Sequence, residues 1–316
     1  MTRFVIRRLA LMLLVLFLIS VGTFFLFAAI PNGSPALHLA GRTATTAEIH
    51  QIMVKYGFDK PVWVQYVRTM KNIVTGQAYS YTQGFNVWDE IKLGLPATLS
   101  LAIGAGLIWL ISSIIVGTIA AIRAGRYADR VLTVLAMVGV SMPPFFLGAL
   151  LIYFLGYKAN LFPLGGYVPF TTSPWQWLTH MILPWFTLSV LFVGFYSRVL
   201  RSSILDTINE DYVRTAKAKG LSSNQVLRRH VLRNSLMPIF ALWALDVAQV
   251  IGGGAILTES IFNLHGVGQL AATAIGNEDI IVILVITLFL AFVVVFVQAM
   301  MDIVYALMDP RIKLGV

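Results

Sequence analysis

Asn209-Glu210-Asp211-Tyr212-Val213-Arg214-Thr215-Ala216-Lys217-Ala218-Lys219-Gly220, running on through Arg233-Asn234-Ser235-Leu236-Met237-Pro238, is a polar island in an otherwise apolar chain. Its signals are those of one short, well-bounded helix. Asn209 is a good N-cap residue, Glu210 and Asp211 put negative charge in the first turn, and Lys217 and Lys219 put positive charge in the last. Gly220 then stands where a left-handed residue ends a helix. A second start follows at once, because Ser222-Ser223-Asn224-Gln225 is a Ser-x-x-Gln capping box that opens a basic segment reaching Arg233.

The surroundings of the island are membrane-like. Of 316 residues, 58% are hydrophobic and 12% charged, and the mean hydropathy is +0.81, whereas a soluble domain carries about 25% charged residues. Residues 1–316 therefore read as a single polytopic membrane domain. Cysteine is absent, which excludes disulfides and thiolate-ligated metals. His38, His50, His180, His230 and His265 are scattered without helical ligand spacing, so no metal site is expected.

Arg3, Arg7 and Arg8 precede an uncharged run over 9–30. That run exceeds the roughly 7–15 residues of a signal-peptide core and matches the roughly 20 of a spanning helix. Further apolar runs cover 95–122, 131–156, 181–197, 236–257 and 280–308, giving an expected total of six transmembrane helices. The third contains Pro143-Pro144, which should kink it toward protein or a cavity. The long polar segment, 31–94, opens on the turn Pro31-Asn32-Gly33-Ser34-Pro35. It then carries a Thr45-x-x-Glu48 capping box with Ile49, Ile52, Met53 and Tyr56 on one face before Gly57. A second amphipathic pattern follows Asp59-Lys60-Pro61, with Val62, Tyr66, Met70 and Ile73 ahead of Gly76. The insert is expected to be a small ordered pair of helices at the rim of the bundle.

Charge sets the orientation. Of the 23 Lys and Arg, 16 lie in segments 1–8, 123–130, 198–235 and 309–316, and 7 in the segments between, six of these in the long first loop. Positive charge gathers on the cytoplasmic side, so both termini and the island are expected inside and the insert outside. Orientation thus accounts for most of the net charge of +9, and nucleic acid is not an expected partner. Neither Gly-x-x-x-x-Gly-Lys, Gly-x-Ser-x-Gly nor His-Glu-x-x-His occurs. A hydrolase has no support, and any ATP hydrolysis must come from another chain.

The island resembles the cytoplasmic loop of the dipeptide/oligopeptide/nickel family of ABC-importer permeases. The likeness extends over Gly253-Gly254-Ala255-Ile256-Leu257-Thr258-Glu259-Ser260-Ile261-Phe262, Gly266-Val267-Gly268-Gln269-Leu270, Tyr56-Gly57-Phe58-Asp59-Lys60-Pro61 and the C-terminal Asp302-Ile303-Val304-Tyr305-Ala306-Leu307-Met308-Asp309-Pro310-Arg311-Ile312. One departure from the general importer loop, Arg214-Thr215-Ala216 in place of Glu-Ala-Ala before Gly220, is usual in the peptide branch. The resemblance implies a type I importer permease of six transmembrane helices with a helical extracytoplasmic insert. Its implied partners are a second homologous permease, two ATPase subunits that bind ATP and Mg, and an extracytoplasmic substrate-binding protein. The chain itself is expected to bind no cofactor. Residues 210–219 would be the coupling helix that docks in the ATPase, with Glu210, Asp211, Tyr212, Arg214, Ala216, Lys217 and Gly220 at the contact. On composition alone, a loop bound to lipid headgroups is the alternative.

Peptides are the expected cargo, and a nickel or metal-chelate importer is the alternative within the family. An ion-coupled secondary transporter is the rival from another class, and a membrane scaffold is a third. Asp246 stands eight residues beyond Pro238, about 12 Å along a helix, and an acid at that depth must face the bundle or a water-filled cavity. Asp246, Gln249 and Gln298 are candidates for the substrate path, the acid meeting the positive end of a peptide or another cation; the alternative is that Asp246 hydrogen-bonds a neighbouring helix through Gln249 or Gln298. Asp302 is expected to pair with Arg311. Glu259, Glu278 and Asp279 lie in an outer segment without Lys or Arg and are candidates for binding-protein docking. Gly252-Gly253-Gly254 and Ala102-x-x-x-Gly106 are read as places of close helix approach.

Overall fold

The computed structural model describes residues 2–28, 35–40 and 44–308. The expected turn at 31–34 and the pairing of Asp302 with Arg311 lie outside the described residues and side chains. Among the described residues the chain is helical, with one isolated bridge between Tyr79 and Asn86 and no extended strand.

Helix α1 (Thr2–Ala28) is the first apolar run, and α2 (Pro35–Ala40) is a short turn of helix after it. The insert forms α3 (Thr46–Tyr56) and α4 (Val62–Val74). The capping box of α3 closes both ways: the Glu48 amide donates to Thr45 Oγ1 at 3.4 Å, and the Thr45 amide to Glu48 Oε2 at 2.7 Å. The Thr45 amide, together with the Thr45 hydroxyl donating to the same oxygen at 2.9 Å, holds the Glu48 carboxyl below its usual range. Helix α5 (Val87–Ile122) starts well before its apolar run, because Asp89 and Glu90 suit a first turn. Next come α6 (Tyr127–Ser141) and α7 (Pro144–Leu151), the latter widening into a π-turn over Ile152–Lys158. The two halves are bent by 98°. The expected proline kink is there, and it turns the segment through about a right angle.

Helix α8 (Pro174–Ile208) extends far beyond the run at 181–197. Its inward stripe simply continues, with Leu200 and Ile204 both fully buried. The polar island forms α9 (Asp211–Ala218), α10 (Ser223–Val226), a wide turn over Leu227–Val231 and α11 (Leu232–Ser235). Helix α12 (Met237–Gln249) runs into a second wide turn, Val250–Gly254, where Gly253 adopts φ 112° and breaks the helix. The chain ends in α13 (Ile256–Ile261), α14 (Val267–Gly276) and α15 (Ile280–Met308). Five helices are long and apolar enough to cross a membrane among the described residues, and the bent pair α6–α7 would make a sixth span.

The helices gather into two compact units, one of residues 1–96, 251–256 and 265–316 and one of 97–250 and 257–264. The first has an apolar core of Val267, Ala271, Ile281, Leu284 and Val285 joined by Phe24, Ile73, Val87 and Ile91. Trp88 Nε1 donates to the Ile73 carbonyl at 3.0 Å, and Ser20 shares a 2.7 Å hydrogen bond with Tyr66, so the insert is tied to the spanning helices. The second unit is held by close packing, the main driving force between helices in lipid. The Trp185 ring lies where a side chain on Gly104 would be, and its Nε1 donates to the Ser100 carbonyl at 2.8 Å. Trp243 Nε1 makes the same kind of bond to Gly106 at 2.8 Å, which gives the expected small-residue approach on α5 its purpose.

Candidate functional site

The polar loop after α8 is a braced helix. Asn209 closes α8, with Nδ2 donating to the Leu205 carbonyl at 3.0 Å. The N-cap of α9 is therefore Glu210, in extended conformation at φ −67° and ψ 147°, and the sequence expectation of Asn209 is corrected by one residue. Gly220 takes φ +81° as expected, and the Ser222–Gln225 capping box forms in both directions. Asn234 Nδ2 donates to Tyr212 Oη at 2.7 Å, and Ser235 Oγ donates to the Ser203 carbonyl at 3.2 Å. These bonds fasten α9 and α11 to the end of α8.

Two faces of α9 differ sharply. Val213 and Ala216 are buried within the chain, while Glu210, Asp211, Tyr212, Arg214, Lys217 and Gly220 are exposed. The expectation that Ala216 meets a partner is corrected, because its small side chain serves packing onto the chain's own helices. The remaining island residues are exposed around the rest of the helix and at its ends.

Beneath this loop sits an ion pair that sequence reasoning missed. Arg201 on α8 grips Asp129 on α6 through two parallel bonds, Nε to Oδ1 and Nη2 to Oδ2, both 2.7 Å. The Gly125 amide adds a third donor at 2.8 Å, and Asp129 is buried. A bidentate guanidinium–carboxylate pair fixes angle as well as distance. One signal for it was present: Asp129 is the lone acid between Arg126 and Arg130.

Deeper in the second unit, Tyr196 Oη donates to Asp246 Oδ2 at 2.6 Å. Tyr196 is fully buried, and Phe192 beside it stacks on Trp109 with centroids 4.2 Å apart. Asp246 is half-buried. Of the two expected glutamines, Gln249 is exposed, and Gln298 lies in the first unit.

The three acids proposed for docking separate. Glu259 is 1% exposed and accepts from Thr98 Oγ1 at 2.7 Å. Asp279 is 3% exposed and accepts from Ser80 Oγ at 2.5 Å, Thr82 Oγ1 at 2.7 Å and the Thr82 amide at 3.2 Å. Buried carboxylates need such donors, so both are interior fastenings and present no surface to a partner. Glu278 is exposed, at the tight turn before α15. The insert does present surface, around a cleft of about 270 Å³ lined by Tyr56, Phe58 and Tyr81 with Lys55, Lys60 and Arg68. Burial pushes the Tyr81 phenol up to about 12. Among the described residues no cluster of three or more His, Cys, Asp or Glu could hold a metal.

Similarity to known proteins covers the whole chain. Residues 1–102 match the family described as binding-protein-dependent transport system membrane component, N-terminal, and residues 113–314 match binding-protein-dependent transport system inner membrane component. A probable peptide ABC transporter permease protein of Sinorhizobium fredii is 33% identical over 98% of this chain and 99% of its own length. The oligopeptide transport system permease protein of Bacillus subtilis is 33% identical over 99% of this chain and 100% of its own. The dipeptide transport system permease protein of Escherichia coli is 33% identical over 99% of each.

Proposed function

The chain belongs to the family of binding-protein-dependent transport system inner membrane components, and from that premise we propose how its parts divide the work. It is a multi-pass membrane permease subunit of a peptide ABC importer. In our reading six spans, with α6–α7 counted as one, form half of the translocation path, and a second homologous permease forms the rest. Both termini and the loop at 198–235 face the cytoplasm, and the insert at 31–94 faces out. Two ATPase subunits hold ATP and Mg, and this chain takes their motion through α9.

One observation carries the coupling assignment: α9 is braced through α11 to α8 and polar on the face it turns outward. A rigid helix passes on a rigid-body displacement that a flexible loop would absorb. Asp211, Tyr212, Arg214 and Lys217 are the contact residues in this reading, with Glu210 and Gly220 setting the ends. A binding protein delivering peptide docks on the insert near Lys55, Lys60 and Arg68, with Glu278 at its edge and without the interior Glu259 and Asp279. Cysteine at Lys217 should crosslink to the ATPase subunit in the assembled transporter, whereas cysteine at the buried Ala216 should not. Free labelling of Lys217→Cys without any crosslink would sink the docking assignment.

A further inference from the structure

The cleft of the insert has three cations in its lining, Lys55, Lys60 and Arg68, and no acid. The neighbouring carboxylates are engaged: Asp59 takes up Lys60 at 3.3 Å, and Asp279 is closed off by Ser80 and Thr82. Helix α4 divides its faces. Tyr66, Met70 and Ile73 pack against the apolar core, while Gln65, Arg68, Thr69 and Asn72 line the cleft at the same helical spacing. Gln65 is used by the wall itself, its Nε2 donating to the carbonyls of Phe58 at 3.1 Å and Lys60 at 2.7 Å. The side chains of Arg68, Thr69, Asn72 and Tyr81 make no hydrogen bond or ion pair among the described residues. Burial raises the Tyr81 phenol and the Arg68 charge draws it part of the way back, which puts the two groups within electrostatic reach of each other. Opposite them the rings of Tyr56 and Phe58 pack on each other and on Tyr81, with centroids 4.8–5.9 Å apart.

We propose that this cleft takes one acidic side chain of the substrate-binding protein, its carboxylate accepting from the Arg68 guanidinium and the Tyr81 hydroxyl and its methylenes lying on the aromatic wall. The inference rests on the docking of that protein at the insert and adds the chemistry of the contact. Charge complementarity carries it: a cleft with donors, cations and no carboxylate calls for an anion. A free carboxylate in solution gains little here, because Lys55 and Arg68 are exposed and water screens such a pair. A side chain carried on a docked surface arrives at high effective concentration and shuts out that water, which strengthens the pair. A lipid phosphate fits less well. The apolar residues that α1 and α15 add to the lining, Phe24, Ile281 and Leu284, are 9%, 5% and 1% exposed, so no strip lies open for acyl chains.

The test measures binding of the purified, peptide-loaded binding protein to the assembled transporter in bilayer nanodiscs. Arg68→Ala should weaken binding about thirtyfold, the cost of removing one member of a buried charge pair, and should flatten the fall of affinity with added salt. Lys71→Ala, an exposed change on α4 outside the cleft, should leave binding within about twofold. Among the acidic residues on the binding protein's surface, one changed to Arg should restore binding to Arg68→Glu while weakening binding to the parent. Cysteine at Val67, exposed on the same helix, reports docking independently of the cleft through its crosslink to the binding protein. A Val67→Cys crosslink together with full-strength binding by Arg68→Ala would overturn the cleft contact and leave the docking reading standing. Absence of any crosslink from the insert would remove both. An Arg68→Ala defect seen only in nanodiscs containing anionic lipid would hand the cleft to a headgroup instead.

Discussion

A carboxylate placed among apolar helices is tolerated where donors meet it, and Asp246 has such a donor in Tyr196 at 2.6 Å. Tyr196→Phe removes that donor and should destabilise the protein by about 1–3 kcal/mol, read as a lower melting temperature of the purified complex. Asp246→Asn keeps an acceptor for the tyrosine, and peptide uptake should stay within about fivefold of the parent, since a single neutral hydrogen bond is worth about 1 kcal/mol. Selective loss of peptides with a free amino terminus in that variant would put Asp246 on the substrate path. Asp129→Ala is the harsher change, because it leaves the Arg201 guanidinium without its carboxylate. The expected cost is about 3 kcal/mol, the lower end for breaking a buried pair, as Arg201 keeps 30% of its side chain in solvent. Asp129→Ala combined with Arg201→Met should recover part of that loss. Asp246 was legible in the sequence because a charge inside an apolar run announces itself. Its partner was not, for Tyr196 lies fifty residues away and helical periodicity specifies a face without naming the neighbour.

Elements whose ends are determined by local chemistry were readable in outline. The capping boxes at Thr45 and Ser222 and the left-handed glycines Gly57, Gly76 and Gly220 involve atoms a few residues apart, and all five form. The boundary between α8 and α9 shifted because Asn209 can either cap a new helix or end an old one. The buried Leu200 and Ile204 carry α8 far enough that ending it prevails. Glu259 and Asp279 show the opposite limit: a stretch without Lys or Arg looks like an acidic surface, yet their donors are Thr98, Ser80 and Thr82, more than 160 residues away in sequence. Asp279 therefore belongs to the joint between the insert and α15. Asp279→Ala should free the turn at 80–82, visible as faster amide hydrogen exchange across 76–86. Exchange unchanged from the parent would mean that the apolar core alone holds the insert.

At the scale of the whole molecule, membrane residence was plain from hydropathy, whereas the shape of the third span was not. Pro143-Pro144 announced a kink, but a bend of 98° depends on what packs against each half. For the first half, α6, that neighbour is α8, where Gly139 and Gly194 permit close approach and Arg201 neutralises Asp129. The bend bears on biogenesis. A ribosome delivers α6 and α7 before α8 exists, so a sharply broken segment with an acid near its start reaches the lipid without its counter-ion, which arrives 72 residues later. Such a segment integrates poorly alone. A released chain of residues 1–158 should leave 127–158 open to added protease, and a released chain of residues 1–208 should protect it. The third and fourth spans would then enter the bilayer as a pair, making Arg201 a requirement of synthesis as well as of the finished fold.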